Sequence, residues 1–179
     1  GEAIDKTTYE DLRQALARLL VEEKGYPRSL LHPRVAVVFP MEGRRYGRVV
    51  DLVAYQEAGQ PLLLVLFCAG AVGTFHRESL AAARLIDGGP APLVVVTDTR
   101  DAALLAVASG EVLAEGMSAI PSWERLKELA GTYPVETLST EKAERERRIL
   151  YAYSEAVYTC CSGAECVAEG KGGRWTDES

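Results

Sequence analysis

The stretch from Arg48 to Gly70, RVVDLVAYQEAGQPLLLVLFCAG, constrains this chain more than any other part of it. Two apolar runs are joined by a polar turn, and one acid, Asp51, is embedded in the first. Short runs rich in β-branched and apolar residues, bounded by turn residues, read as strands. An aspartate inside a sheet must be solvated, paired or metal-bound, because burying a lone carboxylate is far too costly. Asp51 therefore marks either an edge or a site.

The flanking sequence builds a domain around this pair. Thr7-Thr8-Tyr9-Glu10 has the spacing of a capping box, so a helix is expected to follow it. Leu12, Ala15, Leu16, Leu19 and Leu20 make its apolar face, Arg13, Gln14, Arg18, Glu22 and Glu23 its solvent face, and Gly25 its stop. Val35 to Phe39 reads as a first strand ending at Pro40. Arg48 to Tyr55 is then the second strand, antiparallel to the first, and Leu62 to Cys68 a third, apolar throughout and hence central.

Beyond Gly70 to Gly73, Thr74 is positioned to cap a helix containing Leu80, Ala83, Arg84 and Leu85, which leads to a buried strand, Leu93 to Thr97. Strand, helix and strand at this spacing form a crossover that places the two strands in parallel. Asp98 to Ser109 is expected to hold a turn and a short helix through Leu104 and Leu105, followed by a small strand from Ser109 to Leu113. Pro121-Ser122 introduces a helix with Trp123, Leu126 and Leu129 on its apolar side. The last helix, about Thr140 to Tyr158, begins with a charged run, EKAERERR, that reads as solvated, and continues with an apolar half that must dock. The expected fold is α/β, a mixed sheet of an antiparallel meander plus a parallel crossover strand, flanked by helices. Residues 1–158 read as one domain and 159–179 as a flexible, cysteine-containing tail.

Composition narrows the function. At 179 residues and 47% hydrophobic, the chain can bury an independent core. No apolar run reaches the roughly 18–20 residues that span a bilayer, and the start lacks the order of a signal peptide, so a cytoplasmic, non-membrane protein is expected. A net charge of −6 argues against a protein that coats nucleic acid through general basic charge. The two histidines, His32 and His76, make no ligand cluster.

The order of a helix, a three-stranded meander with an acid in its second strand, a crossover helix and a parallel strand resembles the core of the PD-(D/E)xK nuclease superfamily. More narrowly, the chain resembles the N-terminal domain of type I restriction enzyme R subunits, a restriction-endonuclease-like fold. The resemblance runs from about Tyr9 to Pro121 and rests on EEKGYP, RVVDLVAY, QPLLLVLFCAG, RESLAAARL, and LVVVTD followed by SGEVL. It implies that Asp51 and an acid on the next strand bind Mg2+, with a lysine two residues after that acid to position and polarise water. Here the second acid falls on Leu66 and the lysine on Cys68, and neither supplies a hard oxygen ligand or a cationic amine. The family's glutamine and tyrosine in the following helix fall near Ser79 and Ala83. The resemblance is thus to a family member with a degenerate active site.

Three functions follow from these residues. The favoured one is a non-catalytic nuclease-like domain that binds nucleic acid or a protein partner, with Arg44, Arg45 and Arg48 near Asp51 as candidate phosphate contacts and no cofactor. The second is a divergent Mg2+-dependent DNA or RNA endonuclease using Asp51 and Glu78, a helix carboxylate that would replace the missing acid. The third is a Zn2+ or iron–sulfur protein whose ligands are Cys160, Cys161 and Cys166, with Cys68 as a fourth if the tail folds back to it. The bland alternatives are a hydrogen-bonded structural Asp51, a surface Glu78 beside Arg77, and an ordinary buried Cys68. An exposed antiparallel edge strand would permit a homodimer.

Overall fold

The computed structural model describes residues 2–160 and 173–175. Helix α1 spans Glu2–Arg18 and widens into a π-helical turn, Leu19–Glu23. Gly25, with φ of 77°, then redirects the chain, a backbone conformation that favours glycine. Strands β1 (Leu31–Met41), β2 (Arg44–Tyr55) and β3 (Pro61–Phe67) form the expected meander. The 3-10 turn Val72–Phe75 and helix α2 (His76–Leu85) cross to β4 (Leu93–Thr97), which pairs with β3 in parallel from Leu63↔Leu93 to Phe67↔Thr97. Strands β5 (Ala102–Ala106) and β6 (Val112–Glu115) continue antiparallel, and helices α3 (Trp123–Thr132) and α4 (Thr140–Cys160) follow.

The result is an open mixed α/β sheet in the order β1-β2-β3-β4-β5-β6, with one parallel pair. A seventh strand, β7 (Gly173–Trp175), pairs with Arg45–Gly47 of β2, where β3 does not reach. Alternation along β3 separates two cores. Leu64 and Leu66 join Leu80, Ala82 and Ala83 of α2 and Leu150 of α4, whereas Leu63 and Val65 join Leu16 of α1, Leu20 of the π-helical turn, and Leu126 and Leu129 of α3.

Five sequence expectations change. Helix α1 begins at Glu2, ahead of the Thr7 capping box. Arg13 is buried instead of lying on a solvent face. Thr74 donates its hydroxyl to Ala71 O within the 3-10 turn, and α2 starts at His76. The segment through Leu104 and Leu105 is a strand, because five buried residues covered on both faces carry no period that separates strand from helix. Finally, Glu146, in the charged run of α4, is buried. Ser122 caps α3 as its sequence suggests, accepting from the Arg125 N–H at 3.2 Å.

Candidate functional site

Asp51 sits where β2 and β3 part. Its neighbour Leu52 pairs with Val65, and two residues further along β3 the Phe67 N–H points back at β2 and finds the Asp51 carboxylate, at 2.7 Å from Oδ2. The next amide, Cys68 N–H, bonds to Thr97 O of β4 at 2.9 Å. Asp51 thus closes the last open hydrogen bond of the β2–β3 ladder, a need that every buried backbone donor has.

Helix α1 supplies the remaining donors. Oδ1 accepts from the Tyr9 hydroxyl and from Arg13 Nη2, the latter at 3.3 Å. Arg13 Nη1 donates to Glu10, and Glu10 in turn accepts from Arg34 on β1. Arg34, Glu10, Arg13 and Asp51 form an alternating chain of two guanidiniums and two carboxylates. The Arg13 guanidinium lies 4.9 Å from the Tyr9 ring centre, and that ring meets Phe67 edge-on at 5.1 Å. Burial first, and the Asp51 charge second, push the Tyr9 phenol above its ordinary range, so Tyr9 holds its proton and donates. The bond from Arg34 holds the Glu10 carboxyl below its usual range. With 1% of its surface exposed, Asp51 is a buried carboxylate whose charge is met within the fold.

Glu78 has a separate partner. It lies buried in the first turn of α2 and accepts from Arg48 Nε at 2.6 Å, with the two side chains 9% and 8% exposed. Arg48 also donates to Val49 O. The proposed carboxylate pair is therefore met by two different arginines. Of the three hairpin arginines, Arg44 and Arg45 are exposed at the start of β2 and Arg48 is not. His32 is exposed and packs on Tyr55, while His76 is half-buried with Nε2 enclosed and unpartnered.

The positions that the resemblance assigns to the rest of the site are core. Leu66, Cys68, Ser79 and Ala83 are all buried, and burial pushes the Cys68 thiol up. These residues do not fit Mg2+. One carboxylate with both oxygens engaged, a leucine and a protonated thiol do not make the oxygen-rich shell a hard cation requires. Among the described residues no group of three or more His, Cys, Asp or Glu side chains is placed to hold a metal ion. Cys160 is the last residue of α4, and Cys161 and Cys166 lie outside the described residues. No described helix is long and apolar enough to cross a membrane.

Two features escaped the sequence reading. Tyr9 and Arg13 lie on the same helical stripe as Leu16 and Leu20, so their inward direction was visible in the spacing, though charge argued against it. Glu146 is the second. It accepts from Arg77 at 2.9 and 3.0 Å and from Arg84 at 3.0 Å, and Arg84 also donates to Val107 O, so one carboxylate ties α4 to α2. A cleft of about 890 Å³ opens among the β2–β3 turn, the loop before β4 and α3, with Gln56, Pro90, Trp123 and Lys127 in its wall. Asp51 does not line it.

An open mixed sheet with its acid at the fork between β2 and β3, and a helical crossover into a parallel strand, defines a class of α/β domain compatible with the PD-(D/E)xK nuclease core. The chain belongs to the type I restriction enzyme R protein N-terminus family, whose model matches residues 8–121. That match includes Asp51 and Glu78 and ends before α3 and α4. Neither the curated proteins nor the solved structures contain a significant match.

Proposed function

We propose that this chain is a nuclease-fold domain retained for binding, to nucleic acid or to a protein partner, and not for phosphodiester hydrolysis. The observation that carries the reading is the state of Asp51: both oxygens are occupied by donors of the fold, in a charge-balanced chain, and the next two site positions are Leu66 and Cys68. A metal-dependent nuclease needs the opposite arrangement, carboxylates left short of cations so that they attract one. The divergent-nuclease reading requires Asp51 and Glu78 to share a cation, and each instead holds an arginine.

Family membership favours a DNA-related ligand, and Arg44 and Arg45 are the exposed hairpin cations suited to phosphate contact. The test incubates the protein with plasmid, single-stranded DNA and RNA in Mg2+ and in Mn2+. No cleavage is expected, and cleavage abolished by Asp51→Asn refutes the reading. Fluorescence anisotropy with the same nucleic acids reads binding. If the hairpin contacts phosphate, Arg44→Ala weakens binding uniformly across sequences and lowers the salt slope by about 1.

A further inference from the structure

We infer that the Arg13 guanidinium is the resident cation of the Asp51 site, standing in the fold where a divalent metal would have to sit. The inference rests on the non-hydrolytic reading above, but its test needs no nucleic acid.

Arg13 uses its two terminal nitrogens on two different carboxylates, Nη1 on Glu10 and Nη2 on Asp51. It bridges acids from a helix and a strand, as a metal ion bridges ligands from separate elements. Its Nε is buried without any partner, so the group is held by charge and not by complete hydrogen bonding. The Tyr9 ring supplies one face of the same pocket. Arg34 adds a second positive charge at the outer end through Glu10, and the two arginines together bring the charge that one divalent ion would. Arg34 is 61% exposed and Glu10 36%, so the site opens to solvent at that end.

Removing Arg13 leaves Asp51 and Glu10 facing a space vacated by a cation, with the Tyr9 hydroxyl beside them. Carboxylate and hydroxyl oxygens form a set suited to Mn2+ or Mg2+. Arg13 therefore decides which cation the domain keeps: with it the site refuses divalent ions, and without it the site accepts one.

The test compares wild-type protein, Arg13→Ala and Arg13→Ala/Asp51→Asn by Mn2+ electron paramagnetic resonance and by thermal melting in a MnCl2 series. Wild-type protein is expected to leave Mn2+ free and to melt at the same temperature throughout. Arg13→Ala is expected to melt lower, to bind one Mn2+, and to recover about 3–5 °C at a Mn2+ concentration roughly ten times its Kd. The double variant is expected to lose both effects, which a merely structural Arg13 would not produce. Where Arg13→Ala does not fold, the size-preserving Arg13→Gln is read in the same way. Wild-type protein that binds Mn2+ through Asp51, or failure of both single variants to gain Mn2+ binding or a Mn2+-dependent melt, overturns the inference. A wild-type protein that binds no Mn2+ but cleaves nucleic acid would overturn the proposed function and leave the role of Arg13 standing.

Discussion

Replacing Glu146 by alanine is expected to destabilise the protein by about 2–3 kcal/mol, although the residue lies in a run of charges that looks fully solvated. Removing one partner of a buried ion pair costs about 3–5 kcal/mol, because the other charge is left without compensation. Two observations reduce that figure here. Arg77 is 37% exposed, so water takes over much of its pairing, and its share falls to the roughly 0–1 kcal/mol of a surface pair. Arg84 is 14% exposed and stays bonded to Val107 O, so it is only partly orphaned. At about 2–4 °C per kcal/mol for a chain of this size, the melting temperature should fall by about 4–12 °C. Glu146→Gln keeps the volume and one carbonyl acceptor and should lose about half as much. Urea and thermal denaturation followed by circular dichroism read both variants. A cycle with Arg84→Met isolates the coupling, expected at about 1–2 kcal/mol. A loss below about 0.5 kcal/mol for Glu146→Ala would place the residue among ordinary surface positions and refute the assignment of α4 docking to this carboxylate.

The Arg48–Glu78 pair should behave as a unit. Arg48→Met alone is expected to cost about 3 kcal/mol, and Arg48→Met/Glu78→Leu to regain a large part of it, since an apolar pair can replace a buried ionic one; a double variant no better than the single in urea denaturation contradicts this. Alkaline stability depends on Tyr9 and Tyr26, whose phenols burial raises above the unfolded value of 10.0. The folded state keeps protons that the unfolded state loses, so the contribution of these two tyrosines is constant below pH 10 and falls above it, by about 1.4 kcal/mol per pH unit per tyrosine. Urea midpoints measured from roughly pH 9 to 11 should decline less in Tyr9→Phe/Tyr26→Phe, and an unchanged slope would count against it.

The meander and the crossover were legible because local signals agreed with the global fold. Prolines and glycines marked the turns, β-branched runs marked the strands, and the 23 residues from Arg48 to Gly70 contain β3 and the part of β2 that pairs with it. Strand β5 was not legible. AALLA is short and covered on both sides, so the choice between strand and helix was made by β4, whose Leu93–Thr97 pairs with all five of its residues. The ionic partners were hidden for a different reason. Arg13 meets Asp51 across 38 positions, Arg48 meets Glu78 across 30, and Arg77 meets Glu146 across 69. A charge next to other charges in sequence reads as solvated until the fold brings its distant partner to it. That Leu66 and Cys68 supply neither a hard oxygen ligand nor a cationic amine was visible from their chemistry, whereas the engagement of Asp51 needed the position of α1.

The ion pairs also set an order in time. Among the described residues, each of the three buried carboxylates, Asp51, Glu78 and Glu146, is bound by arginines that precede it in the chain. During synthesis every acid emerges after its arginines have already been made, so none has to enter the core ahead of its counterion. The reverse holds for α2. Arg77 and Arg84 leave the ribosome well before Glu146, and a nascent chain that stops short of α4 carries two helix cations with no carboxylate to receive them. The crossover helix can therefore dock early through Leu80, Ala82 and Ala83, and Arg77 and Arg84 gain their shared carboxylate only once Glu146 of α4 has been made.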